Sequence, residues 1–581
     1  MAGWFKPWHE RGIVGGLLAL LGIRNQLRRE NLYDTEPELE KKAPPGPEDR
    51  RRRARMADGT YNDLETPGMG RVGARFGRNV PLNRGFPDTE RLLEPSPREV
   101  SRKLMKRDAF VPAEHINLLV AAWIQFQVHG WFSHGPNQKD NQFNIPLEAD
   151  DPWPDSERPM LIRRTQPDTT RTEESKHLPP TFTNTESFWW DSSQLYGSSE
   201  EQQAIVRGEG GKLHIGDDGL LPLDESGIDI TGFNKNWWVG LSLMHTLFTL
   251  EHNAICDRLA ADNPKWSDDD LFDHARLVNA ALIAKIHTVE WTPAILDHPG
   301  AIAGLEGNWW GLFGKGKERT FGRRFDTFRG IPGSRTDHHG TPYSLTEEFV
   351  SVYRFHPLMP DAYDFRSLTD DTVLNDATLA LEDVTGAEAR GVVNAFGMAN
   401  LFYTFGTALS GAPVLHNFPD GLRELRRRDG ALVDLAAIDI LRDRERGVPR
   451  YNDFRELLHL ERVTSFEELT ANATWQREIR ELYKDDVDAV DLQVGLFAET
   501  FPKGFGFGDT VFRVFILMAS RRLKSDRFLS RDFTPEIYTQ AGIDWVDNTT
   551  MVDVLKRHYP ELEARLRGVD NAFTPWQKQG T

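Results

Sequence analysis

Apolar residues recur with helical spacing along most of the 581-residue chain. A period of about 3.6 residues, sustained over ten or more positions, predicts an amphipathic helix. From about residue 110 the pattern predicts helices over 113–131, 236–261, 270–297, 344–356, 388–408, 488–499, 509–524 and 550–567. The alternation of apolar and polar residues that predicts strands is scarce. We therefore expect a mainly α-helical protein.

Long polar stretches separate these segments. Residues 135–186 and 300–343 are rich in Pro, Gly and Asp, which predicts long loops. Residues 35–57 are charged and contain several prolines, which is typical of a linker. We expect an N-terminal segment over 1–34, this linker over 35–57, and one large domain over 58–581.

The N-terminal segment contains the apolar stretch GIVGGLLALLGI. A helix that crosses a bilayer needs about 20 apolar residues, so this stretch is too short to span one. Trp4, Phe5 and Trp8 precede it and basic residues lie on both sides. Residues 4–23 therefore predict an interfacial helix that contacts a membrane peripherally. A helix docked on the main domain is the alternative.

Charge and cysteine content exclude some classes of protein. The net charge of −18 argues against nucleic acid as the partner, because phosphate binding needs a basic surface. The single cysteine, Cys256, excludes an intramolecular disulfide and a cysteine-based zinc site. We expect a cytoplasmic monomer. Any metal must be bound by histidine or oxygen ligands, or arrive inside a cofactor.

Two pairs of residues have spacings suited to a bound haem. In AAWIQFQVHGWFSHG, Gln125 and His129 are four residues apart and would share a helix face. In SVYRFHPLMPD, Tyr353 precedes His356 by one helical turn, and Pro357 disfavours further helix. Imidazole is a common axial ligand of haem iron. For either histidine, ordinary packing in the core is the alternative.

Several longer motifs carry a resemblance to a known family. LSLMHTLFTLEHNAICDRL (241–259) and VDLAAIDILRDRERGVPRYNDFREL (433–457) resemble signature stretches of the animal-type haem peroxidase superfamily, which includes myeloperoxidase and cyclooxygenases. AAWIQFQVHGWFSHG, AKIHTVEWTPAIL (284–296), EEFVSVYRFHPLMPD and LMASRRLKSDRF (517–528) are more similar to the fatty-acid α-dioxygenases. The similarity extends from about residue 55 to about residue 571. It implies a haem peroxidase-like helical domain with long loops.

The resemblance implies roles for the two spaced pairs. His129 would be the distal haem histidine, with Gln125 as its neighbour on the helix. His356 would be the proximal ligand of the iron. Tyr353 would be the tyrosine that forms a radical.

The resemblance also implies a site for the carboxylate of a fatty acid. His287 and Thr292, in HTVEWT, match the carboxylate-binding pair of the family. Arg522 matches the anchoring arginine, and Arg521 is the alternative if the register differs by one residue. These residue types suit the task, because arginine binds a carboxylate through two hydrogen bonds and an unpaired buried charge is costly.

The mode of haem attachment can be inferred from one difference between this sequence and the peroxidases of the superfamily. Peroxidases of the superfamily often bind haem covalently through acidic side chains. The matching stretch GFNKNWWVG has Asn234, Trp237 and Trp238, and no carboxylate. We therefore expect haem b to be bound non-covalently.

A second metal is suggested by ESFWWDSSQLYGSS, which resembles the superfamily's calcium loop. Its ligand positions are occupied by Ser187, Trp189 through its carbonyl, Asp191 and Ser193. The residue after the distal histidine is usually an aspartate ligand but is Gly130 here. Calcium prefers anionic oxygen ligands, so we expect weaker dependence on calcium than in relatives.

The implied function is insertion of O2 at C2 of a fatty acid, through a radical on Tyr353, to give a 2-hydroperoxy fatty acid. One alternative is a peroxidase, or a cyclooxygenase-type dioxygenase that acts deeper in an unsaturated chain. Another is a non-catalytic haem- or lipid-binding protein of the same fold.

Overall fold

The structure is a computed structural model that describes residues 6–311, 314–315, 330–427 and 429–578. Its helices of six or more residues are α1 (Ile13–Glu30), α2 (Leu119–His129), α3 (Glu200–Val206), α4 (Val239–Asp262), α5 (Asp268–Ile286), α6 (Pro299–Trp310), α7 (Glu347–Val352), α8 (Glu388–Phe396), α9 (Met398–Thr407), α10 (Leu435–Glu445), α11 (Tyr451–Leu457), α12 (Ala473–Leu482), α13 (Leu492–Ala498), α14 (Asp509–Ser525), α15 (Pro535–Asn548) and α16 (Met551–His558). The mainly helical fold expected from the sequence is confirmed.

Strands contribute little to the described part of the chain. They are β1 (Pro112–Asn117), β2 (Gln142–Ile145), β3 (Met160–Arg163), β4 (Ala362–Tyr363), β5 (Leu379–Ala380), β6 (Leu409–Gly411), β7 (Leu425–Arg426) and β8 (Leu432–Val433). They form antiparallel two-stranded ribbons that pair β1 with β6, β2 with β3, β4 with β5, and β7 with β8.

Helix α4 lies in the core of the domain. Its side chains are buried on every face from Val239 to His252 except at Leu250, which is partly exposed. A helix that is apolar on all sides must be covered on all sides. Helices α2 and α5 pack against α4, and α15 packs against α5. This arrangement places the end of α2, which carries His129, deep in the protein.

Several boundaries differ from the sequence prediction. The segment 113–131 begins as strand β1, and the helix starts only at Leu119, whose N–H donates to the Asn117 side chain. The segment 388–408 is two helices, because Gly397 adopts a positive φ of 77° between them. The predicted loop 300–343 begins with α6, where Pro299 occupies the first turn and His298 caps it.

The N-terminal segment is docked on the domain along one side. Trp8 is buried, donates through Nε1 to Asp509 at 3.0 Å, and stacks on Phe512. In α1, Leu20 and Leu27 are buried, and the helix packs against α6 and α14. Trp4 and Phe5 of the predicted interfacial segment lie outside the described residues.

The opposite side of α1 is apolar and faces solvent. We call it the outward α1 face, formed by Ile13, Val14, Leu18 and Leu21. Val14 is 72% exposed and Leu18 is 65% exposed. Within the described ranges, no helix is both long enough and apolar enough to cross a bilayer.

Candidate active site

The Tyr353–His356 segment lies where a helix ends. Helix α7 stops at Val352, Tyr353 is its C-cap, and His356 opens a separate 3-10 turn, His356–Leu358. The predicted helix 344–356 therefore ends four residues early, and Tyr353 and His356 are not joined by a continuous helical turn. The physical reason is Pro357, which lacks an N–H and disfavours the α conformation in the residue before it.

The His356 imidazole is oriented by an acidic partner. Its Nδ1–H donates to Asp439 Oδ2 at 2.8 Å. Arg354 donates to Oδ1 of the same carboxylate at 3.1 Å, and its guanidinium lies 3.4 Å from Asp443. Burial alone would raise the pKa of Asp439, but its interactions with the His356 ring and the Arg354 guanidinium outweigh it and lower that pKa. With the proton held on Nδ1, the Nε2 lone pair is available to bind a metal ion.

The predicted distal pair is at the end of α2. His129 is buried, burial lowers its pKa to about 3, and its Nδ1 has no hydrogen-bond partner. Its ring lies against Phe233, with centroids 4.9 Å apart. Gln125 is partly exposed and donates from its amide to the carbonyl of Asn236 at 3.0 Å. A neutral imidazole at residue 129 can accept or return a proton.

These two histidines fit a bound haem. One has a lone pair presented by a charged partner, and the other has a buried nitrogen with no protein partner. Asn234 donates to Asp224, and Trp237 donates to Asp229, so both side chains are bound within the protein. Trp238 is buried against Phe405.

A buried arginine with open hydrogen-bonding capacity lies near Tyr353. The Arg522 guanidinium carbon is 3.9 Å from the ring centre of Trp131 and 4.4 Å from that of Trp190. Its Nε–H donates to the Tyr343 hydroxyl at 3.4 Å, while Nη1 and Nη2 have no partner. The Nη1 and Nη2 groups of Arg522 can together hold a carboxylate in a bidentate manner.

Arg521, the neighbouring residue, has a different environment. Its Nη2 donates to the carbonyls of Thr341 and Pro342 at 2.8 and 2.9 Å, and Nη1 donates to that of Ser344 at 3.3 Å. Both arginines are 1% exposed, so burial does not distinguish them. Their partners do, because only Arg522 has a terminal guanidinium edge without protein acceptors.

His287 and Thr292 lie at a break in helical geometry. A single π-helical turn, His287–Trp291, follows α5, and such turns are frequent at functional sites. The Thr292 hydroxyl donates to the carbonyl of His287 at 2.7 Å. The His287 Nδ1 accepts a hydrogen bond from Trp123 Nε1–H at 3.1 Å. The Thr292 proton is thus already used within the protein.

Trp131 joins the predicted residues into one site. Its ring centre is 5.7 Å from that of Tyr353 and 5.3 Å from that of His287, and Arg522 lies over its face. The structure therefore brings Tyr353, His287 and Arg522 around one indole, with Thr292 attached through the backbone of His287. The sequence analysis did not assign Trp131 a role, because a tryptophan two residues after a histidine carries no distinctive signal.

Tyr353 is held as a protonated phenol. Burial raises its pKa, and the nearby positive charge of Arg522 lowers it by less. Its ring packs on Phe349, 4.4 Å between centres, and meets Trp131 edge-on. A phenol in this setting does not ionise on its own at neutral pH, so removal of an electron must be accompanied by loss of its proton.

The candidate calcium loop is held by internal contacts. Asp191 accepts from the Ser187 hydroxyl at 2.5 Å and the Ser193 N–H at 3.0 Å, and its carboxylate is 3.6 Å from Arg276. Trp189 is buried and stacks on Tyr343. The described residues contain no cluster of three or more His, Cys, Asp or Glu side chains suited to a metal.

The position of the absent aspartate is filled. A Cβ placed on Gly130 would lie 2.1 Å from Gln194 Oε1 and 2.9 Å from the Gln194 backbone nitrogen. A carboxylate at residue 130 would therefore collide with the Gln194 side chain. With one carboxylate engaged by Arg276 and the other replaced by glycine, the loop does not fit a calcium ion.

Comparisons with known proteins agree with this geometry. Residues 54–570 match the family model described as animal haem peroxidase. "Alpha-dioxygenase 2" of Arabidopsis thaliana is 37% identical, over 98% of this chain and 91% of that protein. "Alpha-dioxygenase PIOX" of Oryza sativa subsp. japonica is 38% identical, over 90% of this chain and 86% of that protein.

A solved structure of an α-dioxygenase also resembles this chain over nearly its full length. The fatty acid α-dioxygenase of Oryza sativa, solved as a tyrosine-to-phenylalanine variant with palmitic acid, superposes with a TM-score of 0.90 at 36% identity. The match covers 98% of this chain and 95% of that one. The protein therefore belongs to the animal haem peroxidase family, whose members bind haem. Within that family it groups with the α-dioxygenases.

Proposed function

We propose that this protein is a haem-dependent fatty-acid α-dioxygenase that converts a fatty acid and O2 to the 2-hydroperoxy fatty acid. The observation that carries the proposal is the juxtaposition of Tyr353 with a buried guanidinium, Arg522, whose two terminal nitrogens lack partners. A carboxylate bound there would present the adjacent carbon to the phenol. The α-dioxygenase of Oryza sativa crystallised with palmitic acid supports the substrate class.

Haem b would be held non-covalently by His356, which would bind its iron, and by contacts with His129. The haem would supply the oxidising equivalent that the chemistry at Tyr353 needs. Asp439 keeps the His356 proton on Nδ1 and so fixes the direction of the ligand. His129, neutral because burial lowers its pKa to about 3, can accept and return a proton.

The carboxylate would be anchored by Arg522 and His287, with Thr292 beside them. Hydrogen bonds to a charged group contribute about 1.5–3 kcal/mol each, enough to decide which end of the fatty acid enters. The Trp131 and Trp190 rings on Arg522 exclude water, which strengthens the ion pair. Each buried methylene adds about 0.8 kcal/mol, so affinity should rise with chain length.

The chemistry follows from this alignment. Tyr353 loses its hydroxyl hydrogen and becomes a phenoxyl radical, which takes a hydrogen atom from C2 of the fatty acid. The phenol is restored, and O2 bonds to the C2 radical. The resulting peroxyl radical takes the hydrogen back from Tyr353, which gives the hydroperoxide and renews the phenoxyl radical. Anchoring supplies the regioselectivity, because the chain offers many similar methylenes.

The test uses haem-loaded protein, palmitate and mass spectrometry of the products. Palmitate has no double bond, so a cyclooxygenase-type enzyme acting deeper in the chain would leave it unchanged. A 2-hydroperoxy product with matching O2 uptake supports the proposal. Tight binding of palmitate without O2 uptake would instead establish the non-catalytic alternative.

Tyr353→Phe provides the matched control. It removes one oxygen and keeps the ring packed on Phe349, so haem loading should be retained. Fatty-acid oxygenation should vanish, while peroxidase turnover of a small phenol should persist because it needs only the haem and its histidines. Oxygenation of palmitate at the wild-type rate by this variant would place the radical elsewhere.

We also propose that the outward α1 face contacts an anionic membrane surface. Its exposed apolar side chains cluster on one side of a docked helix that begins after Lys6 and Arg11. Val14→Glu combined with Leu18→Glu should reduce co-sedimentation with anionic liposomes, with an unchanged melting temperature. Ile205→Glu, at a residue 53% exposed on α3, should not. Equal sedimentation of all three proteins would reject the idea.

A further inference from the structure

We propose that Trp123 is a positioning residue that fixes the tautomer of His287 so that its Nε2–H is the group offered to the fatty-acid carboxylate. This inference rests on the proposed function, because it assigns how one member of the carboxylate anchor donates. It concerns a residue on α2 that belongs to neither the haem pair nor the predicted anchor.

The hydrogen bond between the two rings determines where the His287 proton is. Trp123 Nε1 lies 3.1 Å from His287 Nδ1, and both side chains are buried. An indole N–H donates only, so His287 Nδ1 must accept with its lone pair. A neutral imidazole carries one N–H, which is then on Nε2.

The imidazole stays neutral in this environment. Burial and the positive charge of Arg522 both lower the pKa of His287 well below its ordinary value. A protonated imidazole would have two donors and would need no outside control of the tautomer. A neutral ring donates from one nitrogen only, so the identity of that nitrogen decides whether His287 attracts or repels a carboxylate.

Surrounding rings keep the imidazole from turning over. It stacks on Trp291 with centroids 4.6 Å apart and an interplanar angle of 16°. The rings of Trp131 and Trp190 each lie 5.3 Å away at steep angles. Ring orientation is therefore fixed by packing, and proton position by Trp123. Without the indole N–H, the proton would redistribute toward Nδ1, and a lone pair on Nε2 would face the carboxylate.

The first experiment is a double-mutant cycle on haem-loaded protein. Trp123→Phe keeps an aromatic ring and removes the N–H, so KM for palmitate should rise about tenfold, the loss expected for one hydrogen bond to a charged group. The kcat should change much less. In a His287→Gln background, whose amide NH2 needs no tautomer, Trp123→Phe should add little.

The second readout is independent of activity. Nitrogen-15 NMR of histidine-labelled protein distinguishes a protonated from an unprotonated ring nitrogen. In the wild type, His287 should have an unprotonated Nδ1, and in Trp123→Phe the two nitrogens should share the proton. Trp291→Phe is the control, because its indole N–H donates to the carbonyl of Val120 and not to His287. It should leave His287 Nδ1 unprotonated, because the Trp123 N–H still donates to that nitrogen.

Two outcomes would overturn the inference. One is a wild-type His287 whose Nδ1 carries the proton. The other is an equal rise in KM on Trp123→Phe whether residue 287 is His or Gln, which would show a packing effect only. If wild-type protein does not oxygenate palmitate at all, the proposed function fails, while the NMR result still reports the tautomer.

Discussion

Two polar regions meet near Tyr353, and their partners are organised differently. On the His356 side, hydrogen-bond donors and carboxylates are matched: His356 with Asp439, and Arg354 with Asp439 and Asp443. On the Arg522 side, the cation lies between aromatic rings, and no described carboxylate is within ion-pair distance.

The difference distinguishes His356, whose ring orientation is fixed by its partners, from Arg522, whose charge is left open for an incoming anion. A matched network compensates its own burial and holds His356 in one orientation. A buried cation without an anion is costly, and the cost is recovered only when an anion enters. The unpaired arginine is therefore the stronger indication of where a substrate carboxylate goes.

Removing the proposed iron ligand should have the largest effect. His356→Ala should abolish the Soret band of purified protein, because it removes the imidazole that Asp439 orients. His416→Ala is a matched control, since His416 is also partly exposed and paired with a carboxylate, Glu478, 2.8 Å away. It should keep the band. In the wild type, acidified organic solvent should extract the haem intact, and haem retained on the polypeptide would contradict non-covalent binding.

Removing the unpaired cation should come next. Arg522→Ala should raise KM for palmitate about 10- to 100-fold, because hydrogen bonds to a charged group of about 1.5–3 kcal/mol are lost. Steady-state measurements of O2 uptake give the change in KM.

Two comparisons sharpen that result. Arg521→Ala should lower the melting temperature, since Arg521 braces carbonyls of residues 341–344, with little change in KM. Fatty-acid methyl esters should be poor substrates of the wild type. Esters that react as well as acids would disprove the anchor.

Neutralising one carboxylate of the matched network, Asp439, should have a smaller effect on haem binding. Asp439→Asn keeps a hydrogen-bond acceptor for the His356 Nδ1–H but removes the charge. Loss of an outer partner of a metal-binding histidine typically costs roughly 10–100-fold in affinity, and we expect the lower end of that range for haem. Haem titration followed at the Soret band measures the change. Glu478→Gln, at the partner of His416, should match the wild type.

Chelation should have the smallest effect. EDTA should leave the melting temperature and activity of the wild type unchanged, because Gly130 and Arg276 leave the Ser187–Ser193 loop without calcium chemistry. Gly130→Asp combined with Gln194→Ala restores a carboxylate and removes the side-chain part of the clash. The free energy of unfolding of that variant should increase by about 2.7 kcal/mol when calcium is present at 100 times its Kd. Loss of wild-type activity in EDTA, reversed only by calcium, would refute this.

The sequence predicted the helices with long runs of apolar residues well, because their period is a local property. It did not predict the end of α7 at Val352, since the constraint from Pro357 acts on residues before it and competes with helix propensity. The resemblance to the α-dioxygenases left Arg521 as an alternative to Arg522 for the arginine that anchors the carboxylate. Adjacent residues on a helix point about 100° apart, and only the fold shows which one faces the carbonyls of residues 341–344 and which one the aromatic rings.

Tyr353, His287 and Arg522 all touch one indole, and this has a consequence for how the enzyme can vary. A change at Trp131 would shift the proposed radical residue, the proposed neutral donor and the cation together, so their kinetic effects would be coupled. Selectivity for chain length is therefore free to evolve only at positions farther along the acyl chain. The proposed site for the carboxylate end is a single geometric unit, in which two individually tolerated substitutions can be jointly inactivating.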